Sequence, residues 1–395
     1  MVHRGVARFA FFLLLASAVM RSDSAAPHRA TLVVSNPIAL ARPEEILEIP
    51  LAQIRSQLGV LDPKFIAVED LTNHKTLPVQ MDNPVSGTAS DRLLVLVGLG
   101  FRQTIRLEFR NVDEPPTARP LVFGRMVPER KDDFAWENDK VAYRVYGPAL
   151  QATAEVTSGI DVWSKRVPDL VVNAWYSRDA ESQRMHDPAL SYHHDSGQGL
   201  DSYEVGSTRG CGGTGLWKDG RLRVSKNYVT AEILTKGPIR LRFRLRYAPW
   251  AADGKEVSEE KVITLDAGSH LNRVESKLTF SGNLAAQWAA GLATHAGAHL
   301  NAAPASGILS VWEPLSTPTA GMEGTGIVLE PGKTAHVVKA AGNAVLLRPA
   351  MMGVPMVYYT GAAWSKADIP DEGAWNRYLD AFRECLKHPL KTRWE

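Results

Sequence analysis

Ten residues constrain this chain more than any others: PIRLRFRLRY, positions 238–247. Ile239, Leu241, Phe243, Leu245 and Tyr247 fall on one side of an extended backbone, and Arg240, Arg242, Arg244 and Arg246 on the other. Successive side chains of a strand point to opposite faces, so alternation of this length specifies a half-buried β-strand. Segments 261–265 and 271–280 (LNRVESKLTF) repeat the style. Further strands are predicted at 140–146, 169–175, 307–312, 326–329, 335–339 and 344–347. One substantial helix is predicted at 371–386: it opens on acidic residues, places Trp375, Tyr378, Leu379 and Phe382 at helical spacing, and stops before Pro389.

Upstream, residues 30–116 show short apolar runs (31–34, 45–49, 65–68, 93–97 and 104–109) split by Pro, Gly and Asn, with one or two helical turns at 51–58. Strands separated by turn signals at this spacing predict a small β-sandwich over 27–116. Asp113, Glu114, Pro115 and Pro116 make the linker, since paired prolines stop helices and sheets alike. The fold class expected is therefore mostly β: a large antiparallel sandwich over 117–395, with one concave sheet face able to hold a ligand, preceded by the small β domain and ending in a helix.

The first residues carry Arg4 and Arg8 without an acidic partner, then the apolar run FAFFLLLASAVM, then small residues up to Ala26. This is the pattern of a secretory signal peptide over 1–26; the run is shorter than the roughly 20 apolar residues that cross a bilayer. A retained membrane anchor is the alternative. Export to the periplasm or beyond is the expectation, with no membrane attachment after cleavage. With 45% hydrophobic and 22% charged residues, a net charge of +2 and no basic tract, nothing suggests a nucleic-acid partner. Cys211 and Cys385 permit one disulfide at most, or two free thiols.

Chemistry is expected first in 185–215, MHDPALSYHHDSGQGLDSYEVGSTRGCGGTG. The stretch is polar, rich in glycine and weak in strand pattern, yet holds His186, His193, His194, Asp195, Asp201, Tyr203, Glu204 and Arg209. Long irregular segments within compact proteins tend to be functional. No Gly-Lys-Ser/Thr follows the glycines, so a phosphate loop is rejected. His193 and His194 converge on a metal only from a loop, and His295 and His299 form a second spaced pair; a divalent metal and a set of acid–base histidines both stay open. The Arg240–Arg246 row is either a solvated face with cross-strand partners such as Glu275, or a basic floor for a carboxylate or sulfate. No Gly-x-Ser-x-Gly elbow is present, which leaves acyl transfer without support.

Four segments, FAWENDKVAYRVYGPAL (134–150), YHHDSGQGLDSYEVGSTRGCGG (192–213), NYVTAEILTKGPIRLRFRLRY (227–247) and YYTGAAWSKADIPDEGAWNRYL (358–379), together with the opening VVSNPIALARPEEILEIP, resemble a bacterial family catalogued as a domain of unknown function. Its genes sit beside lyases and glycoside hydrolases in polysaccharide-utilisation clusters. The resemblance covers nearly the whole mature chain. It implies a galactose-mutarotase-like supersandwich and, by relation to an oligosaccharide dehydratase of ulvan breakdown, removal of water across C4–C5 of a terminal uronate, or lyase cleavage of the chain. An acidic oligosaccharide is then the expected partner. The residues on offer suit that chemistry. The C5 proton becomes acidic once a cation neutralises the adjacent carboxylate, and a base and an acid must then handle two protons. His193 and Tyr203 are expected in the acid–base roles, Asp201 orienting a histidine, and His295 as a reserve base. Arg144, Arg240 and Lys366 are expected to clamp the carboxylate, with Trp364 under the sugar ring and His194 beside it. A glycoside hydrolase or epimerase using Asp201 and Glu204, and a noncatalytic sugar-binding protein, are the rival readings.

Overall fold

The computed structural model describes Met1 and residues 29–59, 62–83, 91–153, 156–252, 254–282 and 285–395; the predicted signal peptide, Met1 aside, lies outside the described residues. The alternating segment sits within the strand Arg240–Ala252, which buries Leu241, Phe243, Leu245 and Tyr247. It belongs to an eight-stranded antiparallel sheet that runs Tyr228–Lys236, Arg240–Ala252, Lys255–Asp266, Leu271–Phe280, Met356–Trp364, Met322–Leu329, Ile308–Pro314 and His299–Ala303.

Two five-stranded antiparallel sheets cover the apolar face of the large one. The first runs Gly199–Leu200, Asp161–Lys165, Ala142–Val145, Asp133–Asn138 and Val122–Val127; the second runs Arg221–Arg223, Cys211–Lys218, Gln287–Ala293, Asn343–Pro349 and His336–Ala340. All three feed one core, which includes Trp136, Tyr143, Phe243, Trp288 and Tyr358. Phe243 stacks on Phe134 with ring centroids 4.3 Å apart, and truncating a ring so placed costs about 3–5 kcal/mol. The fold is thus mostly β, a large antiparallel sandwich as the sequence patterning predicts, of the supersandwich kind that the resemblance implies.

A smaller sandwich with its own core precedes it. Its five-stranded sheet runs Lys391–Trp394, Arg29–Ser35, Thr104–Asn111, Ile66–Asp70 and Lys75–Thr76, and faces the three-stranded sheet Arg42–Pro50, Arg92–Leu99 and Val79–Asp82. The outermost strand of the first sheet comes from the far end of the chain, with Leu32 opposite Trp394. The helix Leu51–Leu58 buries Leu51, Ile54 and Leu58 in the same core.

The C-terminal helix is Glu372–Lys387, capped by the Asp371 carboxylate, which accepts from the Ala374 amide at 2.7 Å. Trp375 and Leu379 seat on Gly324 and Gly326 of the large sheet, where a Cβ would lie within 2.9 Å of them. Among the described residues no helix is long and apolar enough to cross a membrane. Cys211 is buried, Cys385 half-buried, and both thiols are free.

Two expectations change. The segment 169–175 is not a strand, because a helix, Val172–Met185, begins inside it. That helix has no side-chain cap of its own; instead buried Glu137 accepts from the Val171 and Val172 amides, both at 2.8 Å, and from Lys165 Nζ at 2.9 Å. A carboxylate at a helix N-terminus answers both the free amides and the dipole. The Arg row is paired, but not with Glu275, which bonds Arg273 two residues away on its own strand. Arg240 pairs with Asp266 and Glu48, Arg242 with Asp82, and Arg244 and Arg246 with Glu232 and Glu260.

Candidate active site

The chemistry-bearing loop follows the helix Val172–Met185 and is pinned rather than slack. Asp201 donates its amide to Tyr192 O at 2.9 Å, and the Asp195 carboxylate holds the Gly197 amide. Gly199 adopts φ +137°, and a Cβ there would sit 2.0 Å from Ser164 O. The glycine density therefore serves close backbone approach to the strand Asp161–Lys165.

Alternation along the short strands sends Asp133, Arg144, Asp161 and Trp163 to the sheet face that the helix and loop cover. Buried Arg144 reaches Asp161 at 2.5 Å, Asp201 at 3.2 Å and Asp133 at 4.0 Å, and donates to Tyr192 Oη at 3.2 Å. Three carboxylates thus crowd one guanidinium. Burial raises all three: Asp133 to about 6, Asp161 upward, and Asp201 well above the usual carboxylate range, with the charge of Asp161 adding to it. Burial and mutual repulsion thus both oppose full ionisation of the cluster, and Arg144 offsets them only in part. His193 lies on its outer side, 57% exposed, with Nδ1 2.9 Å from Asp201 O and 3.7 Å from its carboxylate.

A second histidine stands on the other side of residues 201–205. His295 binds buried Glu313 twice, through Nδ1 and its own amide, each at 2.8 Å. By accepting from the ring, the Glu313 carboxylate lifts the His295 pKa above the ordinary histidine value, and Glu204 adds to the effect. The Tyr203 ring meets His295 edge-on, centroids 5.9 Å apart. Glu313 lies directly opposite Glu323 on the neighbouring strand, and Glu323 directly opposite Trp364 on the next. Burial holds the Glu323 carboxyl well above its usual range, and Ser164 Oγ donates to it at 2.5 Å. Glu323 Oε1, Thr325 Oγ1 and the Tyr203 hydroxyl are buried there without a hydrogen-bond partner.

The structure thus brings together Arg144, Asp201 and His193 in one cluster, and Tyr203 and His295 in a second, joined by the 201–203 backbone. Several expected roles do not fit their surroundings. Arg144 is saturated by protein carboxylates and has no side open to a substrate. Arg240 lies on the outer face of the large sheet against the small sandwich, held by Glu48 and Asp266. Trp364 is 2% exposed, donates its indole N–H to Ala320 O at 2.7 Å, and has the Arg166 guanidinium 4.5 Å above its ring; no face remains for a sugar. Lys366 is exposed, with Nζ 5.9 Å from the same ring. His194 is exposed on the loop. No group of three His, Cys, Asp or Glu side chains among the described residues gathers to hold a metal. Sequence reading missed Glu313, Glu323, Asp161 and Arg166, because only the strand register and the loop path reveal what they face.

Comparison with known proteins agrees with this architecture. The chain is 34% identical over 397 residues to a Formosa agariphila protein called "Uncharacterized protein P7", the match covering 96% of each chain. Among solved structures it resembles an α-mannosidase from Enterococcus faecalis V583 and a glycosyl hydrolase family 38 protein from Enterococcus faecalis. Both have a TM-score of 0.51 and 8% identity, over 93% of this chain. It spans about half the length of those two, 46% and 47%, and at that identity the likeness is one of fold. The model of one family runs from 34 to 392, and the chain belongs to that family, the domain of unknown function DUF4861.

Proposed function

We propose that this protein is a carbohydrate-active enzyme that works by β-elimination on a uronate of an acidic oligosaccharide, releasing water from C4 of a terminal residue or cleaving the chain there. The observation that carries the reading is the row Glu313–Glu323–Trp364 across three adjacent strands. His295 bonds to Glu313 at one end of the row, and the cations Arg166 and Lys366 lie against Trp364 at the other, the two end positions being two strand spacings, about 10 Å, apart. That span suits one sugar ring with its carboxylate.

The steps follow from the groups present. Lys366, and Arg166 on the part of its guanidinium not engaged by Asp195, receive the uronate carboxylate and spread its charge, which makes the C5 proton acidic. Neutral His295, its Nδ1 fixed by Glu313, removes that proton through Nε2. The C5–H electrons form the C4=C5 bond, the C4–O bond breaks, and a proton from Tyr203 or His193 converts the departing oxygen to water or to an alcohol. The Asp201 carbonyl, 2.9 Å from His193 Nδ1, orients that ring. The mannosidase-like fold and the placing of His193 and His295 beside the buried carboxylates of Asp201 and Glu313 support an enzyme over a binding module.

The test is incubation of the purified protein with oligosaccharides ending in uronates, following the ultraviolet absorbance of a conjugated enoate together with product mass. Absorbance gain with loss of one water, or with chain cleavage, is expected. Cleavage that adds water without absorbance would show a hydrolase and end the elimination reading. His295→Ala should lower turnover by about 10²–10⁴-fold. Because the base acts when neutral and its pKa lies above the ordinary value, the acid limb of kcat/KM should fall above pH 6.5. Glu313→Gln should move that limb to lower pH, because it removes the charge that favours the imidazolium.

A further inference from the structure

A sizeable cavity lies away from these histidines, in the seam between the small sandwich, the outer face of the large sheet and the C-terminal helix. Its volume is about 710 Å³, within the range of small-molecule sites, which favour domain interfaces. The register builds its floor. Arg242 lies opposite Thr264, Thr264 opposite Arg273, and Arg273 opposite Tyr359, so four side chains stand abreast across four adjacent strands on one face. Phe382 of the helix closes one end, its ring edge-on to Tyr359 with centroids 5.1 Å apart.

Charge in the seam is abundant but balanced. Five arginines and six carboxylates line the cavity. Arg242 pairs with Asp82 at 3.1 Å, and Arg273 with Glu275. A lining of this kind gives a net anion no advantage. It does offer adjacent donors and acceptors to vicinal hydroxyls, beside half-buried aromatic rings that suit the C–H face of a pyranose.

We infer that this seam is a second carbohydrate site, one that takes a neutral pyranose segment, while the histidine site takes the acidic residue. The inference rests on the carbohydrate reading of the protein but not on the elimination mechanism. Arg240, expected to clamp a uronate, then belongs to the neutral site, where its partners Asp266 and Glu48 form part of the wall.

The experiment is ligand-observed NMR and calorimetry on the whole protein with maltotetraose, cellotetraose and mannotetraose as neutral probes and tetragalacturonate as the acidic one. Binding of at least one neutral probe is expected, weakened tenfold or more by Tyr359→Ala and by Arg273→Gln and unchanged by His295→Ala. Thermal unfolding confirms that each variant is folded, and the two substitutions at the seam stand in for one another if either fails. Absence of binding by every neutral probe would overturn the inference, as would binding that survives both seam substitutions. A loss of elimination activity with neutral binding intact would strike the proposed reaction and leave the seam site standing.

Discussion

Asp133 shows how a single residue here departs from what its type implies. It is 1% exposed, accepts the Gly147 amide at 2.9 Å, and titrates at about 6 because burial opposes its charge more than Arg144 favours it. A folded-state pKa above the unfolded value means the native state binds the extra proton, so stability falls as pH rises from about 4 to about 6 and the deficit persists above that. Asp133→Asn keeps an acceptor for Gly147 and removes the ionisation. It should raise stability at pH 7 by on the order of 2 kcal/mol, and the gain should vanish below pH 4; thermal unfolding at pH 3.5 and 7 reads both. At this scale the sequence was informative about which residues carry chemistry and poor about their partners. His193, Asp201 and Tyr203 share one short segment, and their nearness is local. Glu313 and Glu323 lie in strands whose letters, ILSVWEP and MEGTGIVL, mark them as ordinary acids; only pairing sets them face to face.

Among the elements, the helix Val172–Met185 is the one that local pattern misassigns. Leu170, Val172 and Ala174 alternate with polar neighbours in part, and period 2 describes them as well as period 3.6 does. The deciding contact is Glu137, 34 positions upstream of Val171, which holds the helix start and Lys165 together. Glu137→Ala would leave Lys165 buried without its counter-ion and strip the helix of its anchor. The expected cost is about 3–5 kcal/mol, visible as a lower urea midpoint, with the helix and loop 186–204 losing amide-exchange protection first. The C-terminal helix needed no such distant help, since Asp371 caps it from within its own sequence and its apolar stripe is regular. That difference explains why one helix was legible and the other was not.

For the whole molecule, the sheets followed from alternation, and their order did not. Nothing in residues 391–394 announces that they complete a sheet begun at residue 29, yet Leu32 faces Trp394 and the Trp394 ring rests on Phe109 with centroids 5.1 Å apart. Deleting residues 391–395 should therefore unfold the small sandwich before the large one, splitting a single thermal transition into two. Calorimetry on the shortened chain checks this, and one unchanged transition would contradict it. The same strand also orders events in time. When residues 29–111 leave the ribosome, their sheet still lacks an edge whose partner is nearly three hundred residues from being made. The small sandwich is consequently the last part of the protein to close, and for most of synthesis its open edge is the surface that a chaperone would meet.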